Sequence, residues 1–535
     1  MSQPVVKSPN HQITKSPDLD LPANPPSGLT HRQILVVFSG LIAGLLLAAL
    51  DQTIVATALP TIVGELGGLD QYSWVVTAYL LSSTVSTPLY GKLSDMYGRR
   101  AVFQASILIF LVGSLLAGLA QSMLQLVLFR GVQGVGAGGL MAMAFAIMGD
   151  VLSPRERGRY VGYLGAAFAF SSVVGPLVGG FIVDQLSWRW VFLINLPVGA
   201  VALVVTSAAL RLPVVRRPHR IDIEGACLLV AGVTCLLLAL VWGGTEYPWS
   251  SRIVIHLFVG GTVLTALFVL WEARAPEPII PLRLFRNSIF TVTSVLSFLV
   301  GCGMFGGVVF LPLFLQVVTG ASATNSGLLL LPLMAGMMVA SIGSGRIISQ
   351  TGRYKAWPIG GMAVATLGMC LLSLMDASTD RILSSVYMVV FGLGLGMVMQ
   401  VLVLAVQNAV PYQDLGVATS ASTFFRSMGG SLGVAVFGAI LNHRLAVELP
   451  ARLPRAALAA VGGQVNRLLN SPAQIRTLPP PIRTGIVEAL DRSIHSVFLW
   501  ALPLLVVGFV VSWLLEEIPL RETAHVTTTE TLSSG

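Results

Sequence analysis

The sequence predicts an all-α integral membrane protein with fourteen transmembrane helices, arranged as two six-helix bundles with two further helices inserted between them. The first observation is composition: 54% of the 535 residues are hydrophobic and only 10% are charged, whereas ordinary soluble domains carry about 25% charged residues. The second is that the apolar residues form separate runs of about 20 residues or more, enough to cross roughly 30 Å of hydrocarbon as a helix. The third is that basic residues are concentrated in alternate loops.

The first stretch, residues 1–31, is rich in Pro, Ser, Asn and Gln and is predicted to be a disordered cytoplasmic tail. The apolar segments then lie at about 33–60, 71–90, 101–120, 125–148, 159–183, 190–210, 222–243, 253–272, 289–316, 322–348, 357–375, 381–408, 416–442 and 494–515. The first six form the predicted N-terminal bundle (32–211), the next two the inserted pair with its linkers (212–288), and the last six the C-terminal bundle (289–517). A second disordered cytoplasmic tail is predicted at 518–535.

The charges of the loops predict the orientation of the chain. Sixteen basic residues lie in the loops after segments 2, 4, 6, 8 and 10, whereas the opposite short loops carry three, Arg189, Arg252 and Arg381. Because cytoplasmic loops are enriched in Lys and Arg, both termini are expected on the cytoplasmic side of the cell membrane. The outer loop 443–493 also carries arginines, but loops near that length follow the rule weakly. Its Ala- and Leu-rich halves suggest two amphipathic helices.

A weak internal repeat supports the two-bundle arrangement. The loop Gly91–Arg100 follows segment 2, the loop Gly345–Arg353 follows segment 10, and both have Gly-basic-aliphatic and then Gly-Arg at identical spacing. Two six-helix halves separated by two inserted helices would produce this pattern. Parallel repeats of this kind place a substrate cavity at their interface, near the middle of the bilayer.

Asp51 is the most informative residue of the chain, because it lies inside the apolar run of the first segment. A charged aspartate at that depth costs roughly 2.5–3.5 kcal/mol on insertion scales, and ionisable groups inside membranes usually mark transport pathways. Burial disfavours the charged form of a carboxyl group, so such a residue can bind and release a proton near neutral pH. The alternative is a carboxylate that only neutralises a basic partner or hydrogen-bonds between helices.

Arg130 lies inside the fourth segment, in the stretch LVLFRGVQGVGAGG. An arginine there needs a partner, a cavity or a path to the interface. Its depth is compatible with that of Asp51, and a nearby guanidinium favours the charged form of the carboxylate, so proton release could follow their approach. The two residues are therefore predicted to couple transport to protons. The alternative is an interfacial anchor in a helix whose glycines serve close packing.

The loop Gly91–Arg100 resembles the signature between helices 2 and 3 of the major facilitator superfamily, G-x-L-a-D-r-x-G-r-r. The resemblance implies a cytoplasmic gate, in which Asp95 pairs with a basic residue and the pair breaks when the halves move; the alternative is a basic loop with a surface ion pair worth about 0–1 kcal/mol. Met96 replaces a residue that is often basic in the family, and Ser349 replaces the acid in the second copy. The matching residues are Gly91, Asp95, Gly98, Arg99 and Arg100.

Other stretches extend the resemblance over nearly the whole chain. The stretch around Arg130 is similar to the helix-4 motif R-x-x-q-G-x-g, which the superfamily associates with proton transfer. Segment 5 resembles the antiporter motif g-x-x-x-G-P-x-x-G-G, with Ser171 where the pattern begins with Gly. The stretch 50–60 looks like the L-D-x-T-I-V-N-V-A-L-P pattern of the fourteen-helix drug–proton antiporters, and 188–197 and 426–430 continue the likeness. The antiporter-motif residues are Gly175, Pro176, Gly179 and Gly180.

Five amide side chains in apolar segments are candidates for polar contacts in a substrate cavity, although interhelical hydrogen bonds worth about 0.6 kcal/mol each explain them equally well. They are Gln133, Gln316, Gln400, Gln407 and Asn408.

These features favour a monomeric transporter that exports hydrophobic, cationic drugs or toxic compounds in exchange for protons. Rival interpretations on the same scaffold are a proton-coupled symporter and a narrow exporter of a metabolite or lipid. No enzyme activity is expected, because no catalytic cluster of His, Cys, Asp or Glu lies within the segments. The sequence has no nucleotide-binding loop and no metal-ligand spacing, so neither cofactor nor metal is expected. The net charge of +8 arises from loops between membrane segments and does not indicate nucleic acid binding.

Overall fold

The helices of the chain follow the predicted segments in order. The computed structural model describes residues 31–66, 72–152, 160, 167, 170–171, 174–183, 185–209, 222–244, 247–320, 328–376, 379–453 and 478–520. The two tails predicted to be disordered lie almost entirely outside these residues. Among the residues described, the one β contact is an isolated bridge between Gly243 and Tyr247.

We number the helices α1 to α14 by the predicted segment that each one matches. They are α1 (His31–Leu66), α2 (Tyr72–Tyr97), α3 (Arg99–Gly118), α4 (Met123–Val151), α5 (Val174–Val183, the described part), α6 (Trp190–Leu193 and Asn195–Ala209), α7 (Ile223–Trp242), α8 (Arg252–Glu272), α9 (Ser288–Val317), α10 (Leu331–Thr351), α11 (Ala356–Leu372), α12 (Arg381–Ala409), α13 (Leu415–Arg452) and α14 (Pro480–Ser512).

Eleven of these helices are long and apolar enough to cross a membrane, within the part of the chain that the structure describes. The other three are α2, α5 and α11, of which α5 and α11 are shorter apolar helices. The all-helical membrane fold is therefore confirmed, whereas the number of fourteen spans stays a prediction.

Local sequence explains where several helices begin and end. Asp222 and Ser251 cap α7 and α8 by accepting hydrogen bonds from backbone N–H groups three residues ahead. Asn287 does the same at the start of α9. Gly98, with φ 90°, turns the chain between α2 and α3, and Gly352, with φ 70°, ends α10 in the left-handed conformation that favours glycine.

The packing of α1–α6 is repeated by α9–α14. Helix α3 packs on α4 as α11 packs on α12, and α2 packs on α4 as α10 packs on α12. The contact of α1 with α4 recurs between α9 and α12. The contact of α3 with α6 recurs between α11 and α14. Each group has its own buried apolar core. The residue boundaries predicted for the two bundles stay predictions.

The inserted helices α7 and α8 pack against each other and attach to both groups through α2 and α13. Their buried side chains Leu229, Val233 and Leu237 of α7 and Phe268 of α8 meet Val85 of α2 in one apolar cluster. The pair therefore covers one side of the line along which the two groups meet.

Helices α13 and α14 extend beyond their predicted limits. The sequence predicts that segment 13 ends at about 442 and that segment 14 begins at about 494, yet α13 continues to Arg452 and α14 starts at Pro480. The described ends of the outer loop are therefore continuous with the spans and are not separate amphipathic helices. Leu445 and Leu449 pack on Ile486 and Leu490, which explains why both helices continue.

Candidate functional site

The first candidate site is a group of polar side chains buried inside α1, α3, α4 and α6. Asp51 of α1 is 0% exposed, and Arg130 and Gln133 of α4 are 1% and 0% exposed. Ser114 of α3 and Asn195 of α6 complete the group and are also buried, at 0% and 3% exposed. Charged and polar groups at such depth are stable only when they are paired, so their contacts decide what the group can do.

The structure brings Asp51 and Arg130 into direct contact. Nη1 of Arg130 donates to Oδ2 of Asp51 at 2.5 Å and to Oε1 of Gln133 at 2.7 Å. Its Nε donates to the Val75 carbonyl at 3.5 Å. The guanidinium carbon lies 4.1 Å from the centre of the Tyr79 ring, within the range of a cation–π interaction. Arg130 is therefore held inside the bundle and does not reach an interface.

The second carboxylate oxygen of Asp51 is satisfied by amides. Nε2 of Gln133 donates to Oδ1 at 2.8 Å, and Nδ2 of Asn195 donates to the same oxygen at 2.9 Å. Both amides also contact Oγ of Ser114, at 3.1 and 2.9 Å, and that hydroxyl donates to the Phe192 carbonyl at 2.9 Å. Every partner donates to the carboxylate, which is the arrangement expected for its ionised form.

Sequence reasoning missed two members of this group, Ser114 and Asn195, and also the ring of Tyr79 that contacts Arg130. Asn195 lies in the stretch 188–197 that carried part of the family likeness, but no role was assigned to it. Gln133 was a candidate for the substrate cavity, and the structure places its amide between Asp51 and Arg130. Depth in the membrane is the sequence signal that could have found these residues, because polar side chains at the level of Asp51 in neighbouring segments are able to reach it.

The glycines of α5 lie against α1 beside Asp51. A Cβ atom at Gly175 would lie 2.5 Å from Cβ of Thr53, and one at Gly179 would lie 3.0 Å from the Ile54 carbonyl oxygen. Thr53 also donates to the Ser171 carbonyl at 3.0 Å. A Cβ at Gly180 would meet nothing within 4 Å. Pro176 is partly buried within α5. Two of the antiporter-motif residues, Gly175 and Gly179, thus pack one face of α5 on the turn of α1 that follows the carboxylate.

A second candidate site joins the ends of α2, α3 and α4. Nη1 of Arg99 lies 2.6 Å from Oδ1 of Asp95, and Nε of Arg99 lies 2.7 Å from Oδ2 of Asp150. Arg99 also donates to Oγ of Ser94. Of the two arginines offered by the sequence, Asp95 pairs with Arg99, while Arg100 is partly exposed. Asp150 was missed, because it lies at the end of an apolar segment and not inside one.

This cluster touches the start of α13, which belongs to the other group of helices. A Cβ atom at Gly416 would lie 2.5 Å from Oδ1 of Asp95, and one at Gly91 would lie 2.6 Å from Oγ of Ser420. Only glycine allows α2 and α13 to approach so closely. Nearby, Arg283 pairs with Asp414 at 2.7 Å. Burial raises the pKa of Asp414, and the positive charge of Arg283 lowers it in opposition.

Gln407 connects the two groups of helices close to the same end. Its Nε2 donates to the Phe145 carbonyl of α4 at 3.0 Å and to Oγ1 of Thr419 of α13 at 3.1 Å. The contacts described here between the two groups all lie on the side of the basic loops. In this structure, the molecule is therefore closed at that side.

The remaining cavity candidates are dispersed. Asn408 is buried and donates to the Pro519 carbonyl at 3.1 Å, and Gln316 is partly buried near the end of α9. Gln400 is partly buried in α12, and its Oε1 has no hydrogen-bond partner within the described chain. In the described residues, no three His, Cys, Asp or Glu side chains are grouped so as to hold a metal ion.

Comparison with known proteins places this geometry in context. The family model of the Major Facilitator Superfamily matches residues 41–434. The chain is 45% identical to an uncharacterized MFS-type transporter of Mycobacterium tuberculosis over 91% of this chain and 70% of the relative. It is 39% identical to the multidrug transporter protein MdtP of Bacillus subtilis over 91% and 93%. The solved proton:xylose symporter XylE, at 11% identity and a TM-score of 0.58, covers 90% of this chain and 95% of its own; this likeness concerns the fold alone.

Proposed function

Because the chain belongs to the Major Facilitator Superfamily and is a multi-pass membrane transporter, not an enzyme, we propose that it is a proton-coupled antiporter that exports hydrophobic compounds by alternating access. The sequence predicts that the substrates are cationic and that both termini lie in the cytoplasm. The printed names of relatives, a multidrug transporter protein and efflux pumps, support export of drugs or toxic compounds. A symporter and a narrow exporter of a metabolite or lipid remain the alternatives.

The observation that carries this proposal is the buried contact between Asp51 and Arg130. Both side chains are at most 2% exposed, and burying such a pair costs several kcal/mol of desolvation per ion. A purely packing role could be filled more cheaply by apolar residues. Because donors from α4 and α6 hold the carboxylate of Asp51, a change in its protonation state would alter the contacts of both helices with α1.

Protonation of Asp51 would remove the charge that holds Arg130. The neutral acid no longer attracts the guanidinium, and its new O–H needs an acceptor where only donors are present. The favoured arrangement of α1 against α4 would then change, which is how proton binding can bias a two-state equilibrium. Asp51 has no exposed surface in this structure, so the proton would bind in another state of the transport cycle, in which water reaches the carboxylate.

The cluster of Asp95, Arg99 and Asp150 would act as the gate of this cycle. It lies at the closed side and meets the first turn of α13 through Gly416. Opening that side would separate α2 from α13 and expose the pairs to water, where each is worth far less. The gate thus favours the closed state without preventing opening.

Proton flux in proteoliposomes tests the proposal. A hydrophobic cation, ethidium, or a hydrophobic anion, naphthalene-2-sulfonate, is added to vesicles that contain a pH-sensitive dye. Entry of the added compound is followed at the same time. Exchange moves protons opposite to the substrate, whereas symport moves them in the same direction. We expect exchange in the natural protein, its loss in Asp51→Asn, and normal exchange in Glu224→Gln, whose exposed side chain lies at the start of α7.

The variants are compared at equal amounts of folded protein, judged by gel filtration. Normal exchange in Asp51→Asn would remove the carboxylate from the mechanism. Proton movement together with substrate would replace antiport by symport. Transport of only one member of a wide substrate panel would favour the narrow exporter.

A further inference from the structure

A positive charge, Arg426, lies where the two groups of helices meet, in the first third of α13. Arg426 is eleven residues from the first residue of that helix, which corresponds to about 16 Å and hence to about half of a 30 Å hydrocarbon layer. Its guanidinium carbon lies 5.8 Å from the centre of the Phe145 ring of α4. The side chain therefore reaches from one group of helices to the other.

Arg426 has no hydrogen bond and no ion pair within the described residues. The described helices packed on α13 offer no acid at its level: α9 and α12 contain none, α14 has its acids on the outer extension, and α7 has only Glu224, exposed in its first turn. On α2 and α4 the acids are Asp95 and Asp150, both engaged by Arg99. A guanidinium has five N–H donors, and one placed inside a membrane needs a partner. The residues that the structure describes do not provide that partner in this state.

The neighbouring helix α12 presents an unused acceptor at the same depth. Gln407 of α12 and Thr419 of α13 contact each other. Gln400 lies seven residues before Gln407, and Arg426 lies seven residues after Thr419. Each is therefore two turns away on the same face of its helix. Oε1 of Gln400 is buried and has no partner in the described chain. Two polar groups without partners thus lie directly above the contact that closes the side of the basic loops.

We propose that Arg426 binds an acidic group of the substrate, so that the transported compounds are lipophilic anions with a sulfonate, carboxylate or similar oxyanion. This inference rests on the export function proposed above and replaces the cationic charge that the sequence favours. A hydrophobic cation would be repelled by the charge of Arg426, and the described residues place no free carboxylate at this level to offset that repulsion. Among the described residues, the acid in the middle of a span, Asp51, is fully enclosed and already bound to Arg130. Gln400 would add a hydrogen bond beside the oxyanion.

Binding of three naphthalene compounds of equal shape tests this assignment. The purified full chain in detergent is titrated calorimetrically with naphthalene-2-sulfonate, naphthalene-2-sulfonamide and trimethyl(naphthalen-2-yl)ammonium. We expect the anion to bind at least tenfold more tightly than the neutral sulfonamide and the cation to bind most weakly. Arg426→Gln should reduce the preference for the anion to less than twofold, Arg426→Lys should keep part of it, and Arg426→Glu should favour the cation.

Arg444→Gln is the matched control, because Arg444 lies on the same helix with an exposed side chain. A structural role of Arg426 would lower thermal stability and weaken all three compounds equally, which would overturn the proposal. It is also overturned if the natural protein prefers the cation or binds none of the three. The titration needs no gradient, so anion preference without proton exchange in vesicles would leave this inference standing while the antiport proposal fails.

Discussion

At the scale of single residues, the contacts of Arg130 explain how a charge can remain inside the bundle. The guanidinium uses Asp51, Gln133, the Val75 carbonyl and the face of Tyr79 at once. Removing one member of a buried ion pair leaves the other charge without compensation, which commonly costs about 3–5 kcal/mol. Removing both members avoids that penalty. The stability of single and double variants therefore reports whether the two residues act as one unit.

We expect Arg130→Gln and Asp51→Asn each to lower the unfolding temperature of the purified protein, with Asp51→Asn the more harmful because the guanidinium left alone cannot lose its charge, whereas a carboxyl group left alone can be neutralised by a proton. The double variant should lose clearly less than the sum of the two single losses, since neither charge is then left alone. Thermal unfolding in detergent, followed by tryptophan fluorescence, measures this, with Glu224→Gln as the reference. Strictly additive losses would mean that the ion pair contributes nothing beyond its two separate side chains.

The same residues illustrate what the sequence could predict. Asp51 and Arg130 were recognisable because an ionisable side chain is rare in an apolar run. Ser114 and Asn195 were not, because uncharged polar residues are common in membrane helices and usually serve packing. Whether such a side chain turns toward a carboxylate depends on how the helices are rotated against each other, and no single segment contains that information.

At the scale of helices, the contact between α5 and α1 depends on two glycines. Alanine at Gly175 would place its methyl group into Thr53, and overpacking of this kind costs about 1–3 kcal/mol. We expect Gly175→Ala to lower the unfolding temperature and to slow transport, because the turn of α1 beside Asp51 must move. Gly180→Ala is the matched control, since its methyl group meets nothing within 4 Å. Equal behaviour of the two variants would contradict a tight α1–α5 contact.

The ends of the helices are a second feature that the sequence predicts only in part. Apolar runs located the helices in order, because hydrocarbon forces the backbone to satisfy its own hydrogen bonds. The runs indicated where hydrophobicity stops, however, and not where a helix stops. Helices α13 and α14 continue beyond it because Leu445 and Ile486 pack together outside the predicted spans, a contact between residues distant in sequence.

At the scale of the whole molecule, the two groups of helices meet at the side of the basic loops. Alternating access requires this contact to open and close in every cycle. One close approach joins Gly91 of α2 to Ser420 of α13: a Cβ atom at Gly91 would lie 2.8 Å from Cβ of Ser420. A disulfide needs about 3.5–4.5 Å between these atoms, so a separation of about 1 Å would accommodate one.

Cross-linking these two positions should lock the transporter in its closed state. In a background without Cys227, Cys235, Cys302 and Cys370, we expect the Gly91→Cys, Ser420→Cys pair to oxidise readily, to stop transport in proteoliposomes and to recover after reduction. Each single cysteine variant should transport equally with and without oxidant. Binding from the opposite side should survive in the locked protein, because Arg426 lies above the contact. Full transport in the oxidised pair would mean that α2 and α13 do not separate during the cycle, and that the two groups of helices alternate access by some other movement.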